Sequence, residues 1–271
     1  MPRVAVAGNL SRDIVDGGPP RPGGCPVFAV QAFRLLGREG VIVTRCADAD
    51  APFFRPALAA AGASVAWLAA ATTSGFALSY TGEERELGVT SLGETWRPQD
   101  ARSLPGDVEW VHAAPLVRSD FPAPALAALA AGRRLSFDGQ GLVRVPALGP
   151  LRLDAAYDPE LLASVTALKL SEQEARVLAR GAFGPADARR LGVPEVLLTL
   201  GSRGAVVYAR GRETPVPPAR LVRGVETTGA GDAFMVAYAA ARVDGRSPVE
   251  AAQAASQLVA GLLEERLARA G

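Results

Sequence analysis

The sequence predicts a three-layer α/β fold, in which a mainly parallel β-sheet is covered by helices on both faces. Short apolar runs alternate with Ala/Leu-rich amphipathic stretches along most of the 271 residues. Such strand–helix–strand repeats imply parallel strands joined by helical crossovers. Hydrophobic residues make up 49% of the chain and charged residues 21%. This composition supplies a large core and excludes a disordered chain.

The predicted elements follow one another in regular order. The strands are Val4–Ala7, Val41–Thr44, Ser64–Leu68, Trp110–Ala113, Leu135–Asp138, Ala167–Leu170 and Val196–Leu200. The helices are Val27–Leu36, Phe53–Ala61, Pro124–Ala131, Glu160–Ser164, Glu172–Ala179 and Met235–Ala241. Glycines at positions 37 and 62 follow the first two helices and are typical helix ends.

One segment interrupts this alternation. Phe76–Tyr80 and Val89–Leu92 read as two strands around the polar turn Thr81–Glu86. We therefore expect an inserted β-hairpin over residues 74–95, which is either a small lid or a surface hairpin. The Pro/Gly-rich stretch Gly17–Gly24 is predicted to be a loop.

The bulk properties exclude several classes of partner. A net charge of +1 argues against nucleic acid or an anionic membrane as the main partner. The chain has no apolar run of about 18 residues, which a membrane-spanning helix needs. Met1–Val6 leads directly into a strand without a signal-peptide pattern. We therefore expect a cytoplasmic protein whose Cys25 and Cys46 are free thiols.

Two rare residue types narrow the chemistry further. His112 is the one histidine and Lys169 the one lysine of the sequence. A multi-histidine zinc site is therefore excluded, and a Ser-His-Asp or Cys-His centre would have to use His112. No Gly-Lys-Ser/Thr triplet of a Walker A loop is present. The His-Arg-Asp loop of protein kinases is also absent.

The segment Glu226–Phe234 carries the strongest chemical signal. It reads Glu-Thr-Thr-Gly-Ala-Gly-Asp-Ala-Phe and leads into a helix. Its small residues, Gly229, Ala230 and Gly231, allow backbone amides to converge on an anion at a helix N-terminus. Asp232 follows in the first turn, where a carboxylate can accept a hydroxyl proton while the amides hold a phosphoryl group. For the Gly-x-Gly-Asp part alone, a plain glycine-rich turn with an aspartate cap is an equal alternative.

The full nine-residue string closely resembles the C-terminal signature of the ribokinase-like (PfkB) carbohydrate kinases. This resemblance implies a ribokinase-like fold over one domain, residues 1–271, with the segment 74–95 as its lid. It implies that Asp232 is the catalytic base and that the amides of Gly229, Ala230 and Gly231 form the anion hole. It also implies ATP and Mg²⁺ as cofactors.

Segments near the N-terminus resemble the substrate side of the same family. Ala7–Asp13 resembles a strand-end motif whose aspartate binds sugar hydroxyls, which implies this role for Asp13. Gly23 and Gly24 resemble the family's Gly-Gly at the substrate site. The residues that follow, Cys25–Phe28, depart from the small or polar residues and the asparagine usual there, and this leaves the identity of the substrate open.

Other segments resemble the donor side. Lys169–Glu174 resembles the Asn-Glu-x-Glu motif, which implies that Glu174 holds hydrated Mg²⁺ through water, although Ser171 replaces the usual asparagine. Glu226 replaces an aspartate that several members associate with a monovalent-cation site, so a requirement for K⁺ is left open. The residues implied to bind the nucleotide are Thr199, Gly201, Gly204, Thr228 and, near the adenine, Gln253.

A further string points to one branch of the family. Phe137–Arg144 contains Asp-Gly-Gln-Gly-Leu-Val-Arg at the end of a predicted strand. It resembles a pattern of inositol-kinase-like members, which implies that Gln140 and Arg144 contact substrate hydroxyls or phosphate. An ordinary loop with a surface arginine is the alternative.

The resemblance implies a kinase that transfers the γ-phosphoryl group of Mg-ATP to a hydroxyl of a sugar, polyol or inositol. Two alternatives stay open: a kinase for a nucleoside or a vitamin precursor, and a non-catalytic nucleotide- or sugar-binding protein of the same fold. The sequence does not decide between ATP and ADP as donor. A homodimer through the lid is compatible with the resemblance, and the sequence does not decide this either.

Overall fold

The computed structural model of the chain describes residues 3–59, 63–81 and 84–270. Its strands are β1 Arg3–Asn9, β2 Ser11–Val15, β3 Arg21–Gly23, β4 Gly40–Arg45, β5 Ala63–Leu68, β6 Ser74–Thr81, β7 Glu84–Ser91, β8 Val108–Ala113, β9 Arg134–Asp138, β10 Gly149–Pro150, β11 Ala167–Ser171, β12 Glu195–Thr199, β13 Ala205–Ala209 and β14 Arg212–Val216. Its α-helices are α1 Cys25–Leu36, α2 Ala51–Leu58, α3 Ala123–Ala130, α4 Gln140–Val143, α5 Glu172–Ala179, α6 Pro185–Arg190, α7 Ala230–Val243 and α8 Pro248–Ala270.

A nine-stranded sheet forms the centre of the fold, in the order β14-β13-β12-β11-β9-β8-β1-β4-β5. The seven strands from β12 to β5 pair in parallel, and β13 and β14 extend the sheet in antiparallel fashion. The predicted α/β class with a mainly parallel sheet is confirmed. Because the parallel strands run in one direction, their carboxyl ends share one edge of the sheet, where α/β proteins bind ligands.

Helices cover this sheet on both sides because its strands are apolar on both faces. In β8, Trp110 packs with the core on the side of α1, α7 and α8, whereas Val111 packs with the core on the side of α3 and α5. In β11, Ala167 belongs to the first core and Leu168 to the second. Side chains alternate along a strand, so Lys169 shares the face of Ala167 and lies under α7.

A second, five-stranded sheet has the order β10-β7-β6-β2-β3. The predicted strands of the 74–95 segment are present as the antiparallel pair β6 and β7, and the tip at 82–83 lies outside the described residues. The prediction of a loop over Gly17–Gly24 is wrong at its end, because Arg21–Gly23 pairs with β2. β2 also pairs in parallel with β6, so residues just after β1 join the inserted strands in one sheet.

Some predicted boundaries shift. The predicted helix Glu160–Ser164 is a short 3₁₀ turn, Pro159–Leu162, that begins after the capping side chain of Asp158. The helix predicted over Phe53–Ala61 ends at Leu58, and Ala61 and Gly62 lie outside the described residues. No helix in the described part of the chain is long and apolar enough to cross a membrane.

Candidate active site

The predicted catalytic segment lies where α7 begins. Gly229 precedes the helix with a left-handed backbone, φ +77°, and a methyl group on it would come within 2.2 Å of the Phe28 ring. Glycine therefore allows both the turn and the close approach of α1. The Ala233 amide donates to Gly229 O at 2.9 Å, which closes the first turn of α7.

One of the three amides that were predicted to form the anion hole is engaged in a hydrogen bond within the turn. The Ala230 amide, predicted to be part of the anion hole, donates instead to Thr227 O at 3.0 Å. Helix geometry leaves the next amides, of Gly231 and Asp232, without an intrahelical acceptor. Within the described residues no backbone carbonyl accepts from either of them. These two amides, together with the positive end of the helix dipole, make the start of α7 the candidate anion site.

Asp232 lies in this first turn beside α1. Burial, and next the negative charge of Asp138, raise the pKa of Asp232 to about 6. The Cys25 thiol forms a hydrogen bond with the Asp232 carboxylate, and burial raises the pKa of Cys25 well above its usual range. Cys25 follows Gly24 directly, so the Gly23–Gly24 turn lies next to the predicted base.

A buried ion pair lies on the sheet below α7. Lys169 Nζ donates to Asp138 Oδ2 at 2.8 Å, and the two residues are neighbours in the β9–β11 register. Burial alone would lower the pKa of Lys169, but the charges of Asp138 and Glu174 outweigh it and raise this pKa. Lys169 in turn outweighs the effect of burial on Asp138 and holds the pKa of that carboxyl below its usual value. Both groups are therefore charged at neutral pH.

Glu174, the predicted metal-associated residue, is buried at the start of α5. Its Oε2 accepts from the Ser171 amide at 2.8 Å, and Ser171 Oγ accepts from the Glu174 amide at 3.3 Å. This reciprocal capping box fixes Glu174. Burial raises the pKa of Glu174, whereas Lys169 acts against this rise. In the part of the chain that the structure describes, no three His, Cys, Asp or Glu side chains form a direct metal cage.

The predicted substrate residues near the N-terminus are brought together by the second sheet. Asp13 lies in β2, and a methyl group on Gly23 would come within 2.1 Å of Asp13 Oδ2. Gly24 has φ +91°, and a methyl group on it would come within 2.5 Å of Asn9 O. The backbone of the Gly-Gly turn thus packs directly on Asp13 and on the end of β1.

Gln140 and Arg144 lie at the two ends of the short helix α4, just after β9. The Gln140 amide donates to Asp138 Oδ1 at 3.1 Å, so the turn after β9 also holds the carboxylate that binds Lys169. Arg144 Nη1 donates to Leu116 O at 3.3 Å. Burial is the main cause of the raised pKa of Asp232, and the positive charge of Arg144 acts against that rise.

Of the residues predicted to bind the nucleotide, Thr199, Gly201 and Gly204 lie further along the same edge of the sheet. Thr199 Oγ1 donates to Leu170 O at 3.1 Å, and Gly201 has φ +60° in the turn after β12. Gly204 has φ +89° and packs against Val216 O, at 2.2 Å from a hypothetical methyl group. Gln253 is exposed on α8, three residues before Ser256, whose Oγ accepts from the Ala219 amide at 2.9 Å.

An arginine that the sequence did not indicate clamps the segment before the helix. Arg266 of α8 donates through Nη1 to Glu226 O at 3.1 Å and to Thr228 O at 2.7 Å. Its Nη2 donates to Gln31 Oε1 at 3.3 Å. One guanidinium therefore holds two carbonyls of the strand-to-helix turn.

His112 lies inside the central sheet and not in the turn that carries Asp232. It is fully buried on β8, and its Nδ1 lies 3.1 Å from Ser136 Oγ. Burial lowers the pKa of His112 to about 4, so the imidazole is neutral at neutral pH. Trp110 Nε1 donates to the same hydroxyl at 2.9 Å.

Sequence reasoning missed the contribution of three residues, and the signals available for them differ. Lys169 was visible as the one lysine of the chain, but the strand register that pairs it with Asp138 was not. Cys25 was visible as a departure after Gly-Gly. Arg266 gave no signal, because it is one of many arginines and lies about forty residues from the carbonyls that it binds.

Comparisons with known proteins agree on the fold. The family model of the pfkB family carbohydrate kinases matches residues 21–270. A structure of a pyrophosphate-dependent kinase in the ribokinase family, complexed with a pyrophosphate analog and myo-inositol, is similar with TM-score 0.82 and 24% identity, covering 96% of this chain and 95% of that one. Ribokinase from Arabidopsis thaliana, in complex with ribose and ATP, is similar with TM-score 0.70 and 21% identity, covering 94% and 90%.

A ribokinase of Arabidopsis thaliana is also similar in sequence, with 42% identity over 82 residues. That match spans 27% of this chain and 21% of the relative. The family match is much longer, since it covers all the elements from β3 to α8, including the strand-to-helix turn with Asp232. The chain therefore belongs to the pfkB family of carbohydrate kinases.

Proposed function

We propose that this protein transfers the γ-phosphoryl group of Mg-ATP to a hydroxyl of a sugar, polyol or inositol, with Asp232 as the general base. One observation carries this proposal: Asp232 stands in the same helix turn as the free amides of Gly231 and itself, with a pKa raised by burial to about 6. A base whose pKa lies near neutral pH, next to an anion site, can take the proton of a hydroxyl while the phosphoryl group is transferred.

Each residue of the turn has a separate task. Asp232 accepts the proton of the acceptor hydroxyl as the hydroxyl oxygen attacks phosphorus. The Gly231 and Asp232 amides donate to the phosphoryl oxygens, on which negative charge develops. The Cys25 thiol, hydrogen-bonded to Asp232, orients the carboxylate. Asp13, which packs on the Gly-Gly turn next to Cys25, binds another hydroxyl of the acceptor.

The residues fit both implied cofactors. The carboxylates of Asp138, Glu174 and Asp232 around Lys169 together carry more negative charge than Lys169 neutralises, which suits a hydrated divalent cation such as Mg²⁺. Glu174 is the residue that would hold it through water. When bound, Mg-ATP supplies the activated phosphoryl group and a leaving nucleotide. Thr199, the turn Gly201–Gly204 and Thr228 would line the nucleotide along the sheet edge.

The acceptor class rests on family membership and on the chemistry of the site. Hydrogen-bonding side chains at Asp13, Gln140 and Arg144 suit a compound with several hydroxyls. Two of the similar structures contain myo-inositol and ribose, which supports a polyol or sugar. The inserted sheet of β6 and β7 would act as a lid that excludes water from the reaction.

The test is release of ADP from Mg-ATP with a panel of sugars, inositols, sugar acids and nucleosides, with Asp232→Asn measured alongside. We expect acceptor-dependent release that falls at least about 10²-fold in the variant, because general-base catalysis contributes roughly 10²–10⁴. A folded Asp232→Asn protein with near-normal turnover would remove Asp232 from this role. ATP binding without release for any acceptor would favour the non-catalytic alternative.

Pyrophosphate is the donor to test second. The similar structure with TM-score 0.82 is that of a pyrophosphate-dependent kinase, and the amides at the start of α7 can donate to the phosphate oxygens of either donor. The same panel with pyrophosphate in place of ATP, read as acceptor phosphorylation, separates the two donors. Phosphorylation with pyrophosphate alone would replace ATP in the proposal and leave the role of Asp232 unchanged.

A further inference from the structure

Lys169 lies against the anion site at the start of α7. A methyl group built on Gly231 would lie 3.3 Å from Lys169 Nζ and 3.4 Å from its Cε. Apart from Gly231, its chain neighbours and the backbone of the helix itself, no other described atom comes within 4 Å of that position. The ammonium group therefore lies directly beside one of the two residues whose amides face the anion site, on the side of the helix turned to the sheet.

The ammonium group also has unused hydrogen-bonding capacity. It carries three N–H donors. Among the described residues, Asp138 is the one acceptor within hydrogen-bonding distance, at 2.8 Å. The side chain of Lys169 is only 8% exposed, so water has little access to the ammonium group from the protein surface. A buried N–H donor without an acceptor destabilises the folded protein, and a ligand that accepts a hydrogen bond from it removes this cost.

The choice of lysine is itself informative. The chain uses 29 lysine and arginine residues, and only this one is a lysine. A guanidinium is a wide, planar group, whereas an ammonium is a compact charge on a flexible stem. Beside Gly231 an ammonium group needs less room than a guanidinium would.

We propose that Lys169 is a further catalytic residue, whose ammonium group binds an oxygen of the transferring phosphoryl group, and that Asp138 is the positioning residue that aims it. This rests on the proposed kinase function. The O–P bond to the acceptor forms as the P–O bond to the leaving group breaks, and the leaving group keeps that electron pair. The hydroxyl proton passes to Asp232, while Lys169 keeps its proton and stabilises the charge on the phosphoryl oxygens.

The competing explanation is that Lys169 merely neutralises Asp138. The single variant Lys169→Met cannot separate the two, because it leaves a buried carboxylate unpaired and weakens the fold. The double variant Asp138→Asn/Lys169→Met removes both charges with little change of shape. If charge neutralisation were the whole role, this double variant would restore activity that the single variant had lost.

We expect the double variant to fold and to keep the acceptor KM, but to lose about 10²–10³-fold in kcat, as does removal of a donor from an oxyanion site. We expect Lys169→Arg to retain more activity than Lys169→Met. The matched control is Glu195→Gln/Arg242→Met, which neutralises another buried pair of the sheet and α7 far from the turn, and it should keep the wild-type kcat. A double variant with kcat within about threefold of the wild type would overturn the proposal.

Failure of the kinase function is distinguishable from failure of this inference. If no acceptor and no donor gives turnover in the wild type, the function is wrong, and calorimetry with inorganic phosphate and pyrophosphate tests Lys169 directly. Binding to the wild type that is at least about tenfold weaker in the Asp138→Asn/Lys169→Met variant would support the contact. Equal binding to both proteins, or none to the wild type, would overturn it.

Discussion

At the residue scale, Asp232 is buried, whereas its proposed role as a base requires the ionised carboxylate. Its pKa of about 6 means that the protonated carboxyl, which cannot accept a proton, becomes the major form below that pH. We expect kcat/KM for the acceptor, at saturating Mg-ATP, to rise tenfold per pH unit below about pH 6 and to level off above it. The measurement is a pH–rate profile of the wild type. A flat profile down to about pH 5 would contradict either the assigned base or its raised pKa.

The same shift predicts an effect on stability. Because the pKa of Asp232 in the folded protein lies above its ordinary value of 3.8, the native state binds more protons than the unfolded state between those pH values. The contribution of Asp232 to stability is therefore present below about pH 4 and lost as pH rises through about 6. We expect Asp232→Asn to have a Tm at or above that of the wild type near pH 8, with the difference shrinking near pH 4. A lower Tm of the variant near pH 8 would show that the ionised carboxylate is favourably held, contrary to its burial.

At the scale of elements, the first turn of α7 requires small residues for two different reasons. Gly229 needs its positive φ, whereas Gly231 needs only the missing side chain, since a methyl group there would crowd Lys169 Nζ at 3.3 Å. We expect Gly231→Ala to fold normally and to lose about tenfold or more in kcat, because the methyl group displaces the ammonium from the anion site.

The matched control for that substitution is Gly261→Ala in α8. Nothing lies within 4 Å of the added methyl group there. We expect it to raise the free energy of unfolding by up to about 1 kcal/mol, since alanine is the better helix former, and to leave kcat unchanged. Steady-state kinetics and chemical denaturation of both variants check this pair. Equal kcat values for Gly231→Ala and Gly261→Ala would contradict the proposed crowding.

Helix α8 takes part in the site through Arg266. Its guanidinium binds the carbonyls of Glu226 and Thr228, which would otherwise be free to bind a cation. We therefore expect wild-type turnover to be the same in K⁺ and in Na⁺.

We expect Arg266→Ala to lose about tenfold or more in kcat, because the guanidinium no longer holds the turn before α7 in position. Added guanidinium should restore part of that loss. Arg269→Ala, which removes an exposed arginine of the same helix, is the control.

Prediction from the sequence succeeded where the deciding residues are neighbours in the chain. The helix start at Gly229 and the first turn with Asp232 depend on local spacing, and the strand–helix alternation depends on local period. The short strand Arg21–Gly23 was missed because Pro and Gly read as a loop, and its pairing with β2 is a tertiary contact. The Asp138–Lys169 pair and the Arg266 clamp depend on strand register and helix docking, which one sequence does not reveal.

At the scale of the whole molecule, a buried network fixes α7 to the central sheet at the end opposite the catalytic turn. Tyr238 OH donates to Glu195 Oε2 at 2.6 Å, and Arg242 Nη2 donates to Glu195 Oε1 at 2.6 Å. Glu195 begins β12 and is 6% exposed. A buried carboxylate satisfied from two sides holds the helix against the sheet, so this network bears on stability rather than on chemistry.

Tyr238→Phe removes one hydrogen bond to the Glu195 carboxylate and leaves the Arg242 ion pair in place. We expect it to lower the free energy of unfolding by about 1.5–3 kcal/mol, the usual range for a hydrogen bond to a charged group, and to leave kcat/KM unchanged. Tyr208→Phe is the control, because Tyr208 is also buried but its hydroxyl forms no hydrogen bond with another described residue. Denaturant titration measures both variants. A loss of kcat/KM in folded Tyr238→Phe would contradict this separation. It would mean that a change at the far end of α7 shifts the position of Asp232, so that the two ends of the helix are coupled.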